Sequence, residues 1–242
     1  MAISLQLERS VKLFLINAKV HRFTRPFANI LKKIGFLIDL SEWCAARETV
    51  QIDRHEKTFL HNKRYQLYEF LFKNHGLNAP VSYLEFGVAS GNSIKWWVEH
   101  NADPNSRFVG FDTFTGLPED WSGGFREGAF STGGKMPLIN DSRCCFQKGL
   151  FQETLPAFLS TYQPPPERKQ IIHLDADLYS STLYVLTSLA GILKAGDVLI
   201  FDEFNVPLHE FRAFHDFVAA YRIEYKVIGA VNSFHAVAIE LK

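Results

Sequence analysis

The chain has 242 residues, of which 47% are hydrophobic and 21% charged, and its formal net charge is zero. This composition is typical of a soluble globular protein, and the length suits one α/β domain with an added segment. The charges are unevenly placed, because residues 1–40 carry seven Lys and Arg against two acids. The remainder is slightly acidic, which argues against a nucleic-acid partner.

The cysteines and the apolar runs indicate the compartment. Cys44, Cys144 and Cys145 form no paired framework, which favours a reducing environment. No apolar run approaches the ~18 residues of a membrane span. The first residues also lack the pattern of a signal peptide. We therefore expect a cytoplasmic protein without integral membrane contact.

Residues 1–78 are predicted to form a mostly helical extension that serves as a cap or in oligomerisation. Within residues 56–74 the apolar positions recur at roughly helical spacing, and His75-Gly76 ends the pattern. Residues 9–38 mix Arg and Lys with Phe, Leu and Ile. We expect these residues to form an amphipathic helix pair that covers the sheet or a neighbouring subunit. A membrane-surface helix or an acceptor-binding arm is the alternative.

Strand and helix patterns alternate through residues 79–242, the predicted catalytic domain. Strands are expected at 81–86, 108–111, 144–147, 171–174, 198–201, 225–228 and 234–239, and helices at 93–100, 151–162, 181–193 and 208–223. Gly229 and Asn232 between the last two strands suggest an antiparallel hairpin. The alternation predicts an α/β fold with a doubly wound, mainly parallel sheet.

Two apolar runs of this domain end in carboxylates. Asp175 and Asp177 follow the run 171–174, and Asp202-Glu203 follows 198–201. The carboxyl ends of parallel strands form the edge where open α/β sheets bind ligands. Four acids there repel one another unless a cation or a proton joins them, so the pattern predicts a divalent-metal or acid/base site. Alternatively, Asp175 and Asp202 cap the following helices, and Asp177 pairs with a Lys or Arg.

The first predicted strand leads into a glycine-containing turn. Gly87 and Gly91 permit a tight turn, and a helix that starts near Ser93 directs free N–H groups at a ligand. The turn does not match GxGxxG. Glu85 precedes it and would repel a pyrophosphate, whereas Asp112 ends the second strand, where an acid holds ribose hydroxyls. The two acids favour a cationic nucleoside, S-adenosylmethionine, over NAD. An Asx turn is the alternative role of Asp112.

Five sequence blocks carry a resemblance to a known family. They are LEFGVASGNS, FDTFTGLPEDW, FQKGLFQETLP, HLDADLYSST and LKAGDVLIFDEF. In this order they resemble class I S-adenosylmethionine-dependent methyltransferases and, more narrowly, the macrocin O-methyltransferase family, which acts on sugar and other hydroxyls of natural products. The resemblance covers about residues 80–205, and it implies a seven-stranded sheet with an antiparallel last strand.

The resemblance also implies site residues. It places Glu85, Gly87 and Gly91 on the methionine and ribose side of the donor, and Asp112 beside the ribose hydroxyls. Ser93 is a further predicted donor-binding residue. It assigns Asp175 as a metal ligand and Asp177 as the base near the acceptor. The family usually has two aspartates where this chain has Asp202-Glu203, so the longer Glu203 is expected to shift the ion.

Methyl transfer from a sulfonium requires only that the acceptor be aligned and its proton removed. We expect Mg²⁺ or Mn²⁺ on Asp175, Asp202 and Glu203, since oxygen ligands select hard ions that lower the pKa of a bound hydroxyl. Asp177 would accept the proton. His209 is the alternative base if no metal binds, unless it is merely an exposed residue at a helix start.

These inferences predict a metal-dependent O-methyltransferase that acts on a sugar or glycosylated small molecule in natural-product biosynthesis, as a homo-oligomer. The long loop 114–142, with Trp121, is a candidate lid over donor or acceptor. Two alternatives remain open. A nicotinamide-dependent oxidoreductase would require GxGxxG and a Tyr–Lys pair, and a nucleoside-binding scaffold module would bind without turnover.

Overall fold

The structure is a computed structural model that describes residues 2–53, 59–121 and 124–242, with side chains from residue 5 onward. The predicted start of the helix at residue 56 lies outside the described residues.

One seven-stranded sheet organises the chain from residue 81 onward. Its strands are β1 Val81–Phe86, β2 Arg107–Asp112, β3 Cys144–Lys148, β4 Lys169–Leu174, β5 Val198–Phe201, β6 Tyr225–Val231 and β7 Ala236–Leu241. Their order across the sheet is β3-β2-β1-β4-β5-β7-β6. Strands β1 to β5 run parallel, and β7 is antiparallel to both β5 and β6. The predicted mainly parallel sheet with a closing antiparallel hairpin is confirmed.

Helices cover both faces of this sheet. The α-helices of the described residues are α1 Ala2–Asn17, α2 His21–Ala45, α3 Arg64–Asn74, α4 Asn92–His100, α5 Phe151–Leu159, α6 Tyr179–Leu189 and α7 Glu210–Tyr221, of which α3 to α7 pack on the sheet. The apolar side chains of α5, α6 and α7 join one core with alternate residues of the strands, and those of α3 and α4 join a second core on the other face. This is the doubly wound arrangement that the strand–helix alternation predicts.

The segment before β1 divides into two parts with different surroundings. Leu67, Tyr68 and Leu71 of α3 are fully buried in the core beneath the sheet. A Cβ at Gly229 of β6 would lie 2.9 Å from Leu67 Cδ1, so α3 packs closely on this strand. The predicted boundary at residue 78 therefore does not coincide with a break in packing.

The first two helices have little contact with the rest of the described chain. In α2 only Leu40 and Trp43 are buried, and the described side chains of α1 are exposed on every face. Of the two predicted partners of residues 9–38, the sheet is not covered by them, because packing on the sheet would have buried their apolar side chains. Contact with a neighbouring subunit remains a prediction. None of the helices in the described ranges combines the length and apolar character that a bilayer crossing requires.

Candidate active site at the carboxyl edge of the sheet

A cavity of about 470 Å³ opens at the carboxyl ends of β1, β2, β4 and β5. Its wall contains the turn after β1, Asp112 after β2, the pair Asp175 and Asp177 after β4, and Glu203 after β5. The strand register places these ends side by side, since β1 lies between β2 and β4, and β4 pairs with β5. The predicted convergence of the carboxylates is confirmed.

The turn after β1 depends on Gly87. This residue has φ +94°, and a Cβ on it would overlap the main-chain carbonyl oxygen of Asp175. Only glycine therefore allows the two loops to approach this closely. Ser93, at the start of α4, lines the cavity, whereas Gly91 lies outside its wall and packs against Pro137.

Asp112 braces this turn through its carboxylate. Its Oδ2 accepts the backbone N–H groups of Val88 at 2.7 Å and Ala89 at 2.8 Å, and its Oδ1 accepts that of Phe114 at 2.6 Å. The last bond is the Asx turn considered as an alternative. A carboxylate has about four acceptor positions, so the predicted binding of ribose hydroxyls is compatible with these bonds.

Glu85 does not reach the cavity wall. It is buried, and its Oε2 accepts the Tyr83 hydroxyl and lies 3.3 Å from His173 Nδ1. Burial raises the pKa of the Glu85 carboxyl. The ring of His173 also contacts the hydroxyls of Tyr83 at 2.7 Å and Tyr68 at 3.3 Å, so His173 is the buried, hydrogen-bonded histidine that its place in an apolar strand indicates. The expected contact of Glu85 with a donor remains a prediction.

The acidic cluster is held together by an arginine that the sequence did not single out. Arg64, the first residue of α3, is buried, and its Nη1 lies 3.1 Å from Asp175 Oδ2 and forms an ion pair with Asp202 Oδ2. Burial alone would lower the pKa of the guanidinium, but Asp202 and Asp175 raise it, so Arg64 stays charged. Although burial raises the pKa of Asp175, Arg64 lowers it below its ordinary value.

The negative charges of the remaining carboxylates are poorly balanced by nearby cations. Burial, with Glu203 and Asp175 nearby, raises the pKa of Asp177 to about 9. Burial and the neighbouring acids also hold the pKa values of Asp202, Glu203 and Glu210 well above their ordinary range. Glu210 was not predicted; its Oε2 accepts the backbone N–H of Glu203 at 3.0 Å. The site thus lacks positive charge, because one guanidinium faces several buried acids.

This deficit of positive charge favours the binding of a divalent cation. Oxygen atoms of Asp175, Asp177 and Glu203 lie within 4.8 Å of one another, and Glu203 Oε2 is buried without a hydrogen-bond partner among the described residues. Such hard oxygen donors suit Mg²⁺ or Mn²⁺. The ligand set of Asp175, Asp202 and Glu203 remains a prediction, and Asp175 and Asp202 both form ion pairs with Arg64.

The helix-capping alternative for these aspartates is excluded. Leu178 and His209 precede α6 and α7, and neither cap position has a side-chain cap hydrogen bond. In the described part of the chain, no Lys or Arg forms an ion pair with Asp177. Its unusual backbone, with φ +59°, instead holds its side chain at the cavity wall.

His235, rather than His209, lines the cavity beside Glu203. Asn205 donates its Nδ2 to the Ser233 carbonyl at 3.2 Å, which turns its Oδ1 toward His235 Nδ1 at 2.9 Å. The Nδ1–H therefore donates, and Nε2, 3.7 Å from Glu203 Oε1, carries no proton. Burial, with the charge of Arg64, lowers the pKa of His235 to about 4. His209 lies outside the cavity wall, half-buried beside Trp121 at 6.2 Å between ring centroids.

The long loop supplies an aromatic wall to the cavity. Trp121 stacks on Phe125 at 5.3 Å between centroids, and Phe130 lies 5.0 Å from Phe125. Glu119 accepts the Ser180 hydroxyl, which ties the loop to α6. The Trp121 indole N–H is buried and has no partner among the described residues, so it can serve a bound molecule.

Comparisons with known proteins support a methyltransferase. Residues 134–236 match the family model described as Macrocin-O-methyltransferase (TylF). Comparison with curated sequences gives no match.

Several solved structures share the fold. The O-methyltransferase NovP is 17% identical over 86% of this chain and 98% of its own, with a TM-score of 0.55. The calicheamicin methyltransferase CalS11 is 21% identical over 73% and 80%, with a TM-score of 0.52. The O-methyltransferase from Bacillus cereus in complex with SAH is 15% identical over 86% and 90%, with a TM-score of 0.50.

The family match and the shared fold agree with the five sequence blocks and the cavity at the sheet edge. Residues 134–236 therefore resemble the macrocin O-methyltransferases, and the chain shares the fold of solved O-methyltransferases.

Proposed function

We propose that the chain methylates a hydroxyl of a sugar or glycosylated natural product, with Mg²⁺ or Mn²⁺ bound beside the acceptor. The observation that carries this proposal is one cavity with two chemically different ends. The turn after β1 and Asp112 form the donor end, and Asp175, Asp177 and Glu203 form the acceptor end. Fold neighbours include CalS11, described as a calicheamicin methyltransferase.

The donor end is suited to a cationic nucleoside. The backbone of the turn lies against Asp112, and the first residues of α4, Asn92 and Ser93, line the cavity. Asp112 has remaining acceptor positions for ribose hydroxyls, as it would in related nucleotide sites. The uncompensated carboxyls across the cavity attract the positive sulfonium of the donor, whereas they would repel the pyrophosphate of NAD.

The acceptor end is suited to a hydroxyl. Asp177 lies on the cavity wall with its pKa raised to about 9, which makes its carboxylate a strong proton acceptor once a cation favours the charged form. The aromatic wall of Trp121, Phe125 and Phe130 restricts water and offers flat surfaces to a sugar ring. A buried indole N–H can hold one acceptor oxygen.

Asp175 and Glu203 would hold the metal ion next to Asp177, while Arg64 neutralises Asp202. A bound ion would lower the pKa of the acceptor hydroxyl and offset the negative charge of the cluster. The chain's own residues then orient the acceptor and remove its proton.

The first test separates the methyltransferase from its alternatives. We expect S-adenosylhomocysteine to bind in a calorimetric titration and NAD to give no heat. A panel of glycosides and nucleotide sugars, incubated with S-adenosylmethionine, should contain a compound that gains one methyl mass. EDTA should stop that transfer and Mg²⁺ restore it. NAD binding would support an oxidoreductase, and donor binding without transfer to any panel member would support an inert module.

Asp177→Asn should reduce turnover by about 10²–10⁴-fold, because it removes the proton acceptor. Its affinity for S-adenosylhomocysteine should stay within about twofold, since Asp177 lies at the acceptor end. Glu99→Gln, an exposed acid on α4, is the matched control and should behave as wild type. Turnover of Asp177→Asn at the control level would eliminate Asp177 as the base.

Asp112→Ala should weaken S-adenosylhomocysteine binding by about tenfold, equivalent to ~1.4 kcal/mol. Because Asp112 also braces the turn, a second ligand is needed: an S-adenosylhomocysteine analogue without ribose hydroxyls. Wild type should prefer the natural ligand, and Asp112→Ala should bind both alike. A variant that retains the full preference would show that Asp112 only supports the turn.

Arg64→Leu should lower the free energy of unfolding by about 3–5 kcal/mol without divalent ions, because it leaves Asp175 and Asp202 buried without a cation. Arg64→Lys retains the charge and should lose less. Mg²⁺ should stabilise the leucine variant more than wild type, since it gains a further carboxylate pair. Urea unfolding at pH 8, with and without Mg²⁺, measures both effects. Equal stability of Arg64→Leu and wild type would contradict this charge balance.

A further inference from the structure

The amino-terminal arm, residues 5–38, presents a large apolar surface that nothing in the described chain covers. Its exposed apolar side chains are between 43% and 79% accessible. They are Leu5, Leu7, Val11, Leu13, Phe14, Leu15, Ile16, Phe23, Phe27, Ile30, Leu31, Ile34, Leu37 and Ile38. Such a contiguous surface marks an interaction site, because isolated exposed apolar residues are common but long runs of them are not.

The exposed residues of α2 form one stripe along the helix. Phe23, Phe27, Ile30, Ile34 and Leu37 recur at intervals of three and four residues, which places them on a single face. The basic residues of the same helix recur at other positions: Arg22, Arg25, Lys32 and Lys33. At 100° per residue Arg25 and Lys32 lie on the opposite side of the helix from the stripe, and Arg22 and Lys33 lie along one flank of it. The helix is therefore amphipathic in the strict sense, with an apolar face and a cationic face.

The net positive charge of the arm indicates an anionic partner. Residues 1–40 hold seven Lys and Arg against two acids, while the remaining chain has 19 bases and 24 acids. A second copy of the arm would bring seven further cations alongside the first. An anionic bilayer surface satisfies both features, since acyl chains receive the apolar stripe and phosphate headgroups receive the cations.

The carboxyl-terminal end of α2, which follows the arm, lies beside the cavity. Trp43, near the end of α2, packs on Phe204 and Phe234 at 4.7 and 5.9 Å between ring centroids. These two residues are the chain neighbours of Glu203 and His235, which line the cavity. Trp43 Nε1 also donates to the Tyr225 hydroxyl at 3.0 Å. A surface that holds the arm therefore also holds the catalytic part of the chain nearby.

We propose that residues 5–38 bind in the plane of an anionic phospholipid surface, with the apolar stripe inserted at the headgroup boundary. This binding is independent of the proposed methyl transfer. It requires no acceptor and can be measured on the full chain without the donor.

Vesicle flotation tests the proposal with the full-length protein. We expect it to float with vesicles of phosphatidylcholine mixed with phosphatidylglycerol, and at least about tenfold less with phosphatidylcholine alone. Raised salt should weaken the binding, because the cations are exposed. Equal binding to both vesicle types, or no binding, would overturn the proposal.

Two variants separate the contributions of the stripe and the cations. Phe27→Ser with Ile34→Ser removes part of the stripe, and Arg25→Gln with Lys32→Gln removes two charges; each should reduce flotation at least about tenfold. Leu138→Ser and Lys95→Gln, exposed positions on the catalytic part, are matched controls and should float as wild type. All four variants should retain wild-type S-adenosylhomocysteine affinity, which checks folding.

Sedimentation velocity gives the competing outcome. If a second copy covered the stripe, the wild type would form a dimer that the Phe27→Ser, Ile34→Ser variant loses, and neither would float with anionic vesicles. That result would replace the membrane with self-association as the role of the arm.

Discussion

Several buried carboxyls share one small volume at the carboxyl edge of the sheet, and the rest of the site depends on how their charges are balanced. Asp175, Asp177, Asp202 and Glu203 meet there because two parallel strands end side by side. Burial, together with repulsion among them, raises most of their pKa values, and Arg64 forms ion pairs with Asp175 and Asp202. This deficit of positive charge is the basis of our proposal that the cluster binds a divalent ion near a sulfonium donor.

The charge balance links the catalytic sheet to the segment that precedes it. Arg64 begins α3, and α3 is fixed in the core by Leu67, Tyr68 and Leu71. Tyr68 further donates to Ser93 at 3.2 Å, next to the donor turn. Any displacement of α3 would therefore disturb the acid cluster and the donor turn together. The segment before β1 thus contributes directly to the site, in addition to any role of the arm.

The two ends of the cavity are joined by backbone rather than by side chains alone. Gly87 lies so close to the Asp175 carbonyl that no side chain fits between them. Asp112 fixes the same turn from the other side through two backbone N–H groups. The distance between the two ends of the cavity is therefore set by the backbone of the sheet edge, an arrangement that suits the alignment required by the methyl transfer we propose.

The sequence alone determined the sheet architecture, the convergence of the acids and the donor turn. Each of these follows from local patterns: apolar runs make strands, alternation makes a parallel sheet, and parallel strands bring their ends to one edge.

Only the tertiary structure decided which charged side chains lie close together. Arg64 and Asp175 are 111 residues apart, and no local pattern relates an arginine at a helix start to an acid after a distant strand. The side chain of Glu85 contacts Tyr83 and His173 instead of lining the cavity, because the packing of the sheet decides on which face a strand side chain lies. For a related reason the sequence could not decide between the sheet and a neighbouring subunit as the partner of the arm, since amphipathic spacing shows that a helix has an apolar face but does not show what that face contacts.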